Sequence, residues 1–151
     1  MQVLSVHLIN FRNIMCLEIA LSPGINLFYG MNGQGKTNIL ESIEILSTTR
    51  SQRAFKEAEL INYAADSALI HGIFLKNDLD FEIAVNYFKN KKKTCVKNGK
   101  NTTADTIFGS VNIVKFFPKD IEIVSGAPAV RRRYADMEIS LTDRRYYDNY
   151  K

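Results

Sequence analysis

Gly30-Met31-Asn32-Gly33-Gln34-Gly35-Lys36-Thr37 fits the pattern GxxxxGK[ST] at every position. Each residue type in it has a physical task. Glycines tolerate backbone conformations that a Cβ would block, so successive N–H groups can turn inward around an anion. A helix starting directly afterwards adds its N-terminal N–H groups and the positive end of its dipole. The Lys36 ammonium suits β- and γ-phosphates, and the Thr37 hydroxyl suits Mg²⁺. At average residue usage such a match arises by chance in roughly one chain of this length in 200. The bland alternative is a glycine-rich turn before a helix.

The flanks favour a phosphate loop. Ile25 to Tyr29 (INLFY) is a continuous apolar run bounded by glycines, expected as a strand buried on both faces. After the loop a helix is expected over 33–47. Ile39, Leu40, Ile43 and Leu46 share one face of it, and Glu41 and Glu44 are expected to point away. The nucleotide-binding set is therefore Gly30, Met31, Asn32, Gly33, Gln34, Gly35, Lys36, Thr37 and Asn38.

Further out, Val3 to Ile9 and Ile14 to Leu21 alternate as strands, and Ser22-Pro23-Gly24 marks a turn. Thr48 to Lys56 is a polar, basic loop, and Glu57 to Tyr63 a short helix. Leu69 to Leu75 and Leu79 to Phe88 form a hairpin about Lys76-Asn77-Asp78, with another around Asn98-Gly99. Val111 to Phe117 is one more apolar strand, ended by Pro118. From Ala129 the pattern is helical. The expected organisation is one α/β domain: the phosphate loop and its helix, a largely β region over 66–117 and a helical segment over 129–151.

The 151 residues are 46% hydrophobic and 24% charged, an ordinary globular composition. No apolar run approaches the roughly 20 residues that span a bilayer, so no membrane role is expected. The N-terminus has no basic start or small-residue cleavage site, and the expected compartment is the cytoplasm. Cys16 and Cys95 lack CxxC spacing and are expected to be reduced and structural. His7 and His71 lie in alternating strands without ligand-like partners, so a metal site built from side chains alone is not expected. The net charge of +4 permits contact with nucleic acid without demanding it. The basic residues cluster at Lys89 and Lys91–Lys93, at Arg131–Arg133 and at Arg144–Arg145. Neither an NKxD-type guanine motif nor a downstream apolar run ending in Asp or Asp-Glu is visible. The second Mg²⁺-coordinating strand of a P-loop ATPase is thus not apparent, and nucleotide binding with negligible hydrolysis is expected.

Four stretches together resemble the amino-terminal portion of the RecF family, bacterial DNA recombination and repair ATPases related to SMC and ABC proteins. They are Leu8 to Asn13 (LINFRN), Ser22 to Ile43 through the GMNGQGKTNILESI run, Arg50-Ser51-Gln52-Arg53 with Glu59-Leu60-Ile61, and Phe116 to Asp136 with its GAPAVRRRYAD end. Gln52 replaces the histidine that the family usually has there. The resemblance implies a P-loop ABC/SMC-type head lobe with an antiparallel β subregion, ending at the start of a helical arm. It also implies ATP with Mg²⁺, ATP-dependent homodimerisation, DNA at single-strand/double-strand junctions and a RecR-like mediator. Under it Arg12 is either a nucleotide contact or a surface arginine at a strand end. Arg50 and Arg53 reach either phosphate or an interface, or else contact DNA backbone or are simply solvated. Arg131, Arg132 and Arg133, spread over three helix directions, imply contact with DNA or a second head. A stand-alone phosphotransferase and a non-catalytic DNA- or protein-binding remnant are the other readings.

Overall fold

The computed structural model describes residues 1–116 and 118–150, without the side chains of 118, 119, 144 and 150. The chain divides into two compact units, Met1–Val111 and Asn112–Lys151.

In the first unit, β1 (Gln2–Phe11) and β2 (Ile14–Ala20) form a hairpin and α1 (Lys36–Thr48) follows the phosphate loop. A 3-10 turn (Glu57–Leu60) precedes β3 (Ser67–Lys76), β4 (Leu79–Phe88), β5 (Thr94–Lys97), β6 (Lys100–Thr102) and the short α2 (Ala104–Ile107). The six strands make one sheet in the order β2-β1-β3-β4-β5-β6, and every pairing in it is antiparallel. The two tight hairpins follow from their turn residues. Asn77 and Asp78 both take positive φ, as do Asn98 and Gly99, the geometry that matches the twist of paired strands.

Alternation puts Val6 and Leu8 of β1, Ala68, Ile70 and Phe74 of β3, and Ile83, Val85 and Tyr87 of β4 on one buried face. Helix α1 packs on that face through Ile45 and Leu46. Gly72 makes the approach possible, because a Cβ there would stand 2.6 Å from Leu46 Cδ1. Each such buried aliphatic side chain is worth about 1.5–3 kcal/mol.

Three sequence expectations are corrected here. Residues 25–29 belong to no strand, and Ile25, Leu27 and Tyr29 are 97%, 81% and 87% exposed. An apolar run reads as a buried strand only if partners flank it, and the sheet offers it none. Residues 111–116 likewise form no strand, with Val114 and Phe116 exposed, and Phe117 lies outside the described residues. On α1 the polar and apolar sides are not where periodicity puts them: Glu41 and Glu44 are buried while Leu40 is exposed.

The second unit is helical. A 3-10 turn (Pro118–Ile121) leads into α3 (Glu122–Ser125), α4 (Pro128–Thr142) and α5 (Arg144–Tyr150). Pro128 opens α4 with a ring preset to helical φ. Asp143, in extended conformation, ends it, and Asp143 Oδ1 accepts from the N–H groups of Arg145 and Tyr146 to start α5. The Tyr146 hydroxyl donates to Asp136 at 2.6 Å, so α5 folds onto α4. The helical pattern from Ala129 is therefore broken at Asp143. Among the described residues no helix is long and apolar enough to cross a membrane.

Candidate phosphate-binding site

The loop at 30–35 owes its course to glycines at three positions. Gly30 has φ 143°, Gly33 φ 83° and Gly35 φ 94°, backbone conformations that a side chain disfavours. A Cβ on Gly35 would also stand 3.1 Å from Asn13 Oδ1 and 3.2 Å from Ile14 Cγ1, so the β1–β2 turn presses directly on the loop. Gly35 is the residue before α1, and its carbonyl accepts from Asn38 N and Ile39 N. No side chain caps this helix, and no acidic residue sits in its first turn. Its positive end is therefore offered to an anion rather than neutralised by the protein.

Lys36 Nζ donates to the carbonyls of Gly30 at 2.8 Å and Met31 at 2.7 Å, which holds the ammonium across the loop. Thr37 is exposed beside it. Met31, Asn32 and Gln34 are exposed along the loop.

The loop is braced by asparagines. Asn13 Nδ2 donates to the Gly33 carbonyl at 2.6 Å, and Asn38 Nδ2 donates to Asn13 Oδ1 at 2.8 Å. Asn13 reaches the loop because Asn10 and Arg12 adopt positive φ and fold the hairpin tightly. Neighbouring chain closes around this turn: Arg12 N donates to Leu60 O, Asn62 N to Asn10 O, and Asn62 Nδ2 to Arg12 O.

Behind the braces lies a charged cluster. Glu41, 0% exposed, accepts from Arg12 Nε and NH2 at 3.2 and 2.6 Å, from Arg53 NH1 at 2.9 Å and from the Ser51 hydroxyl at 2.5 Å. Arg12 NH1 also donates to Glu59 O, and Arg53 NH1 to Asn38 Oδ1. A buried carboxylate is tolerable only when its lone pairs are met by charge-assisted donors, as here. Arg12 and Arg53 set two cations against the Glu41 carboxylate, and Lys36 adds a third positive charge on the loop itself. Arg12, Asn13, Asn38, Arg53, Asn62 and Tyr63 border an open cleft of about 710 Å³ beside the loop.

Of the expected site residues, Gly30 to Asn38, Arg12 and Arg53 thus come together in the first unit. Arg50 is exposed at the end of α1, two residues from Thr48, whose hydroxyl accepts from its N–H. Arg131, Arg132 and Arg133 are exposed on α4 in the second unit, and Arg131 NH1 donates to Gly126 O. Sequence reasoning missed Asn13, Glu41 and Ser51 as site-builders. Asn13 and Glu41 stood inside the quoted motifs, but a glutamate on a helix with helical apolar spacing reads as solvent-facing. No cluster of three or more His, Cys, Asp or Glu able to hold a metal occurs among the described residues. His71 does have a partner, Glu82 Oε2 at 3.0 Å.

The DNA replication and repair protein RecF of Clostridium beijerinckii is 40% identical over 150 residues, 99% of this chain and 41% of its own length. The chain thus spans about two fifths of the length of the relatives it matches. A solved structure of the recombination mediator protein RecF-ATPrS in the RecFOR pathway is 33% identical, with a TM-score of 0.92 over 99% of this chain and 41% of that one. A structure from work on ATP-driven dimerization and DNA stimulated activation of SMC ATPases is 21% identical, covers 89% of this chain and 98% of that one, and has a TM-score of 0.72. The fold is that of a P-loop ABC/SMC-type head, as the RecF resemblance implies. The AAA domain model matches residues 5–137, and the chain belongs to that family, with RecF proteins as its relatives.

Proposed function

We propose that this chain is the ATP-binding part of a RecF-like DNA repair protein. The observation that carries the reading is the uncapped start of α1 behind Gly30–Gly35, with Lys36 held across the loop. The likeness to RecF structures solved with ATP and ATPrS supports it. The residues fit the nucleotide: N–H groups of the loop and helix start take the phosphates, Lys36 the β- and γ-phosphates. The Thr37 hydroxyl would hold Mg²⁺ together with phosphate oxygens. Arg12 and Arg53 border the same cleft and supply further positive charge.

The wider role goes with the relatives' description as DNA replication and repair proteins. ATP drives a homodimer of heads that closes on DNA at single-strand/double-strand junctions, with a RecR-like mediator as partner and the cytoplasm as compartment. The exposed Arg50, Arg131, Arg132 and Arg133 serve DNA backbone or the second head. Binding of DNA through such contacts weakens steeply as salt rises.

The test is a fluorescent ATP-analogue titration with Mg²⁺ on this chain and on Lys36→Ala. Loss of one charge-assisted phosphate contact costs about 1.5–3 kcal/mol, a drop of roughly ten- to a hundredfold in affinity. Saturable binding that falls by this factor supports the reading. Equal binding by both proteins removes the phosphate loop from the account.

A further inference from the structure

The hydrogen bonds around the phosphate loop form one continuous chain, which Arg53 donates into on both sides. The Gly33 carbonyl accepts from Asn13, Asn13 Oδ1 accepts from Asn38, and Asn38 Oδ1 accepts from Arg53 NH1. The same nitrogen of Arg53 donates to Glu41 Oε2, and Glu41 Oε1 accepts from the Ser51 hydroxyl. Ser51 Oγ in turn accepts from the backbone N–H groups of Arg53 and Ala54. The chain therefore begins at a peptide of the phosphate loop and ends on the backbone of the 50–54 loop.

We propose that Glu41 is a positioning residue that couples occupancy of the phosphate loop to the order of the 50–54 loop. The inference rests on the reading of Gly30–Thr37 as a phosphate site.

Glu41 is suited to this by its place. It sits on α1 one turn beyond Thr37, at 0% exposure, and each of its oxygens accepts from two donors. A carboxylate so enclosed cannot exchange a partner for water, so a shift in one donor is felt by the others. Arg12 clasps it with two nitrogens, from the tip of the β1–β2 hairpin. Arg53 is different: its side chain is 43% exposed, and a single nitrogen serves both Asn38 and Glu41. Arg53 is thus the link with freedom to respond.

The other end supplies the signal. The Gly33 carbonyl and the Gln34 N–H belong to one planar peptide. An anion accepting from that N–H fixes the plane and polarises the carbonyl on which Asn13 donates. The effect passes along the amides to Arg53, and through Glu41 and Ser51 to the N–H groups of Arg53 and Ala54. That loop also carries Arg50, the exposed cation nearest the end of α1.

Amide hydrogen exchange with mass spectrometry tests this on the full chain, with and without saturating ATP and Mg²⁺, in wild type and Glu41→Gln. Gln keeps the size of the side chain but replaces one acceptor by a donor and removes the charge that holds both arginines. The expected result is that ATP slows exchange of the 50–54 peptide about fivefold in wild type, the scale of one net hydrogen bond. In Glu41→Gln that ATP-linked slowing is lost at saturating nucleotide, whatever the change in affinity. A merely structural role for Glu41 would raise exchange equally with and without ATP. The proposal is overturned if wild type binds ATP without slowing at 50–54, or if Glu41→Gln keeps the slowing. If Glu41→Gln does not fold, Ser51→Ala removes the last link with the carboxylate intact. Loss of the slowing there supports the coupling and its persistence overturns it. Failure of wild type to bind ATP in a parallel titration identifies the phosphate-site reading as the fault, and the coupling falls with it.

Discussion

Asn13 donates from Nδ2 to the Gly33 carbonyl at 2.6 Å, tying the tip of the β1–β2 hairpin to the middle of the phosphate loop. The two residues are 20 positions apart, and the contact fixes a loop carbonyl away from the anion that the neighbouring N–H groups would bind.

Asn13→Ala removes that brace and leaves the Asn38 amide without its acceptor. The loop keeps its sequence and Lys36, so binding weakens rather than disappears. The expected loss is about 1 kcal/mol, or roughly fivefold in ATP affinity, read by titration with Mg²⁺. The urea midpoint should move little, because Asn13 is exposed. An unchanged affinity would mean that the glycine conformations alone hold the loop.

The far end of α1 is fastened at Thr49, whose carbonyl accepts from the Tyr87 hydroxyl at 2.9 Å and from Lys93 Nζ at 2.8 Å. Tyr87→Phe deletes one of these donors inside the core. Stability should fall by about 1 kcal/mol with an unchanged urea m-value. The pH dependence follows from the same burial. Desolvation raises the Tyr87 phenol above its ordinary 10.0, with Glu57 adding to the rise, and raises the Cys95 thiol above its ordinary 9.0. The unfolded chain then releases these protons first as pH climbs, so the folded state binds more of them and stability declines. It is fully present below about pH 8 and decreases through pH 9–11. Tyr87→Phe should flatten that decline when urea midpoints are compared across the range.

A third expectation concerns Ile25 to Tyr29. A leucine in a strand buried on both faces would lose about 2–5 kcal/mol on truncation. Leu27 is 81% exposed, so Leu27→Ser should shift the urea midpoint of this chain by no more than about 0.5 kcal/mol. A larger loss would mean that the segment is covered in solution.

What the sequence disclosed divides along a physical line. The phosphate loop and both tight hairpins rest on local backbone demands, since glycine, Asn-Asp and Asn-Gly take the required positive φ wherever they stand. Strand alternation in β3 and β4 was equally local. Burial is not. Glu41 reads as a solvent-facing position on a helix, and its enclosure depends on Arg12, 29 residues before it, with Ser51 and Arg53, 10 and 12 after it. Ile25 to Tyr29 fails in the opposite sense, having the composition of a core strand and no partner among the six strands present. Asn13 was legible as part of a motif but not as a brace, because its acceptor is a backbone carbonyl that no residue type announces.

The two cysteines provide the last test. Cys16 on β2 is exposed, whereas Cys95 on β5 is buried, 5% exposed, opposite Val85 of β4. The thiolate is the reactive form, and burial holds the Cys95 thiol in its protonated state against the opposing pull of Lys93. At pH 8 a disulfide reagent should therefore label Cys16 at once and Cys95 only slowly, with both reacting together in urea. Mapping the adducts by mass spectrometry assigns the two phases. The slow phase reports opening of the β4–β5 edge, since Cys95 lies in the core that Tyr87 and α1 share. Tyr87→Phe should accordingly speed it, by about the same fivefold that one lost hydrogen bond costs in stability. Equal rates at both cysteines in the native protein would show instead that this edge opens faster than the reagent reacts.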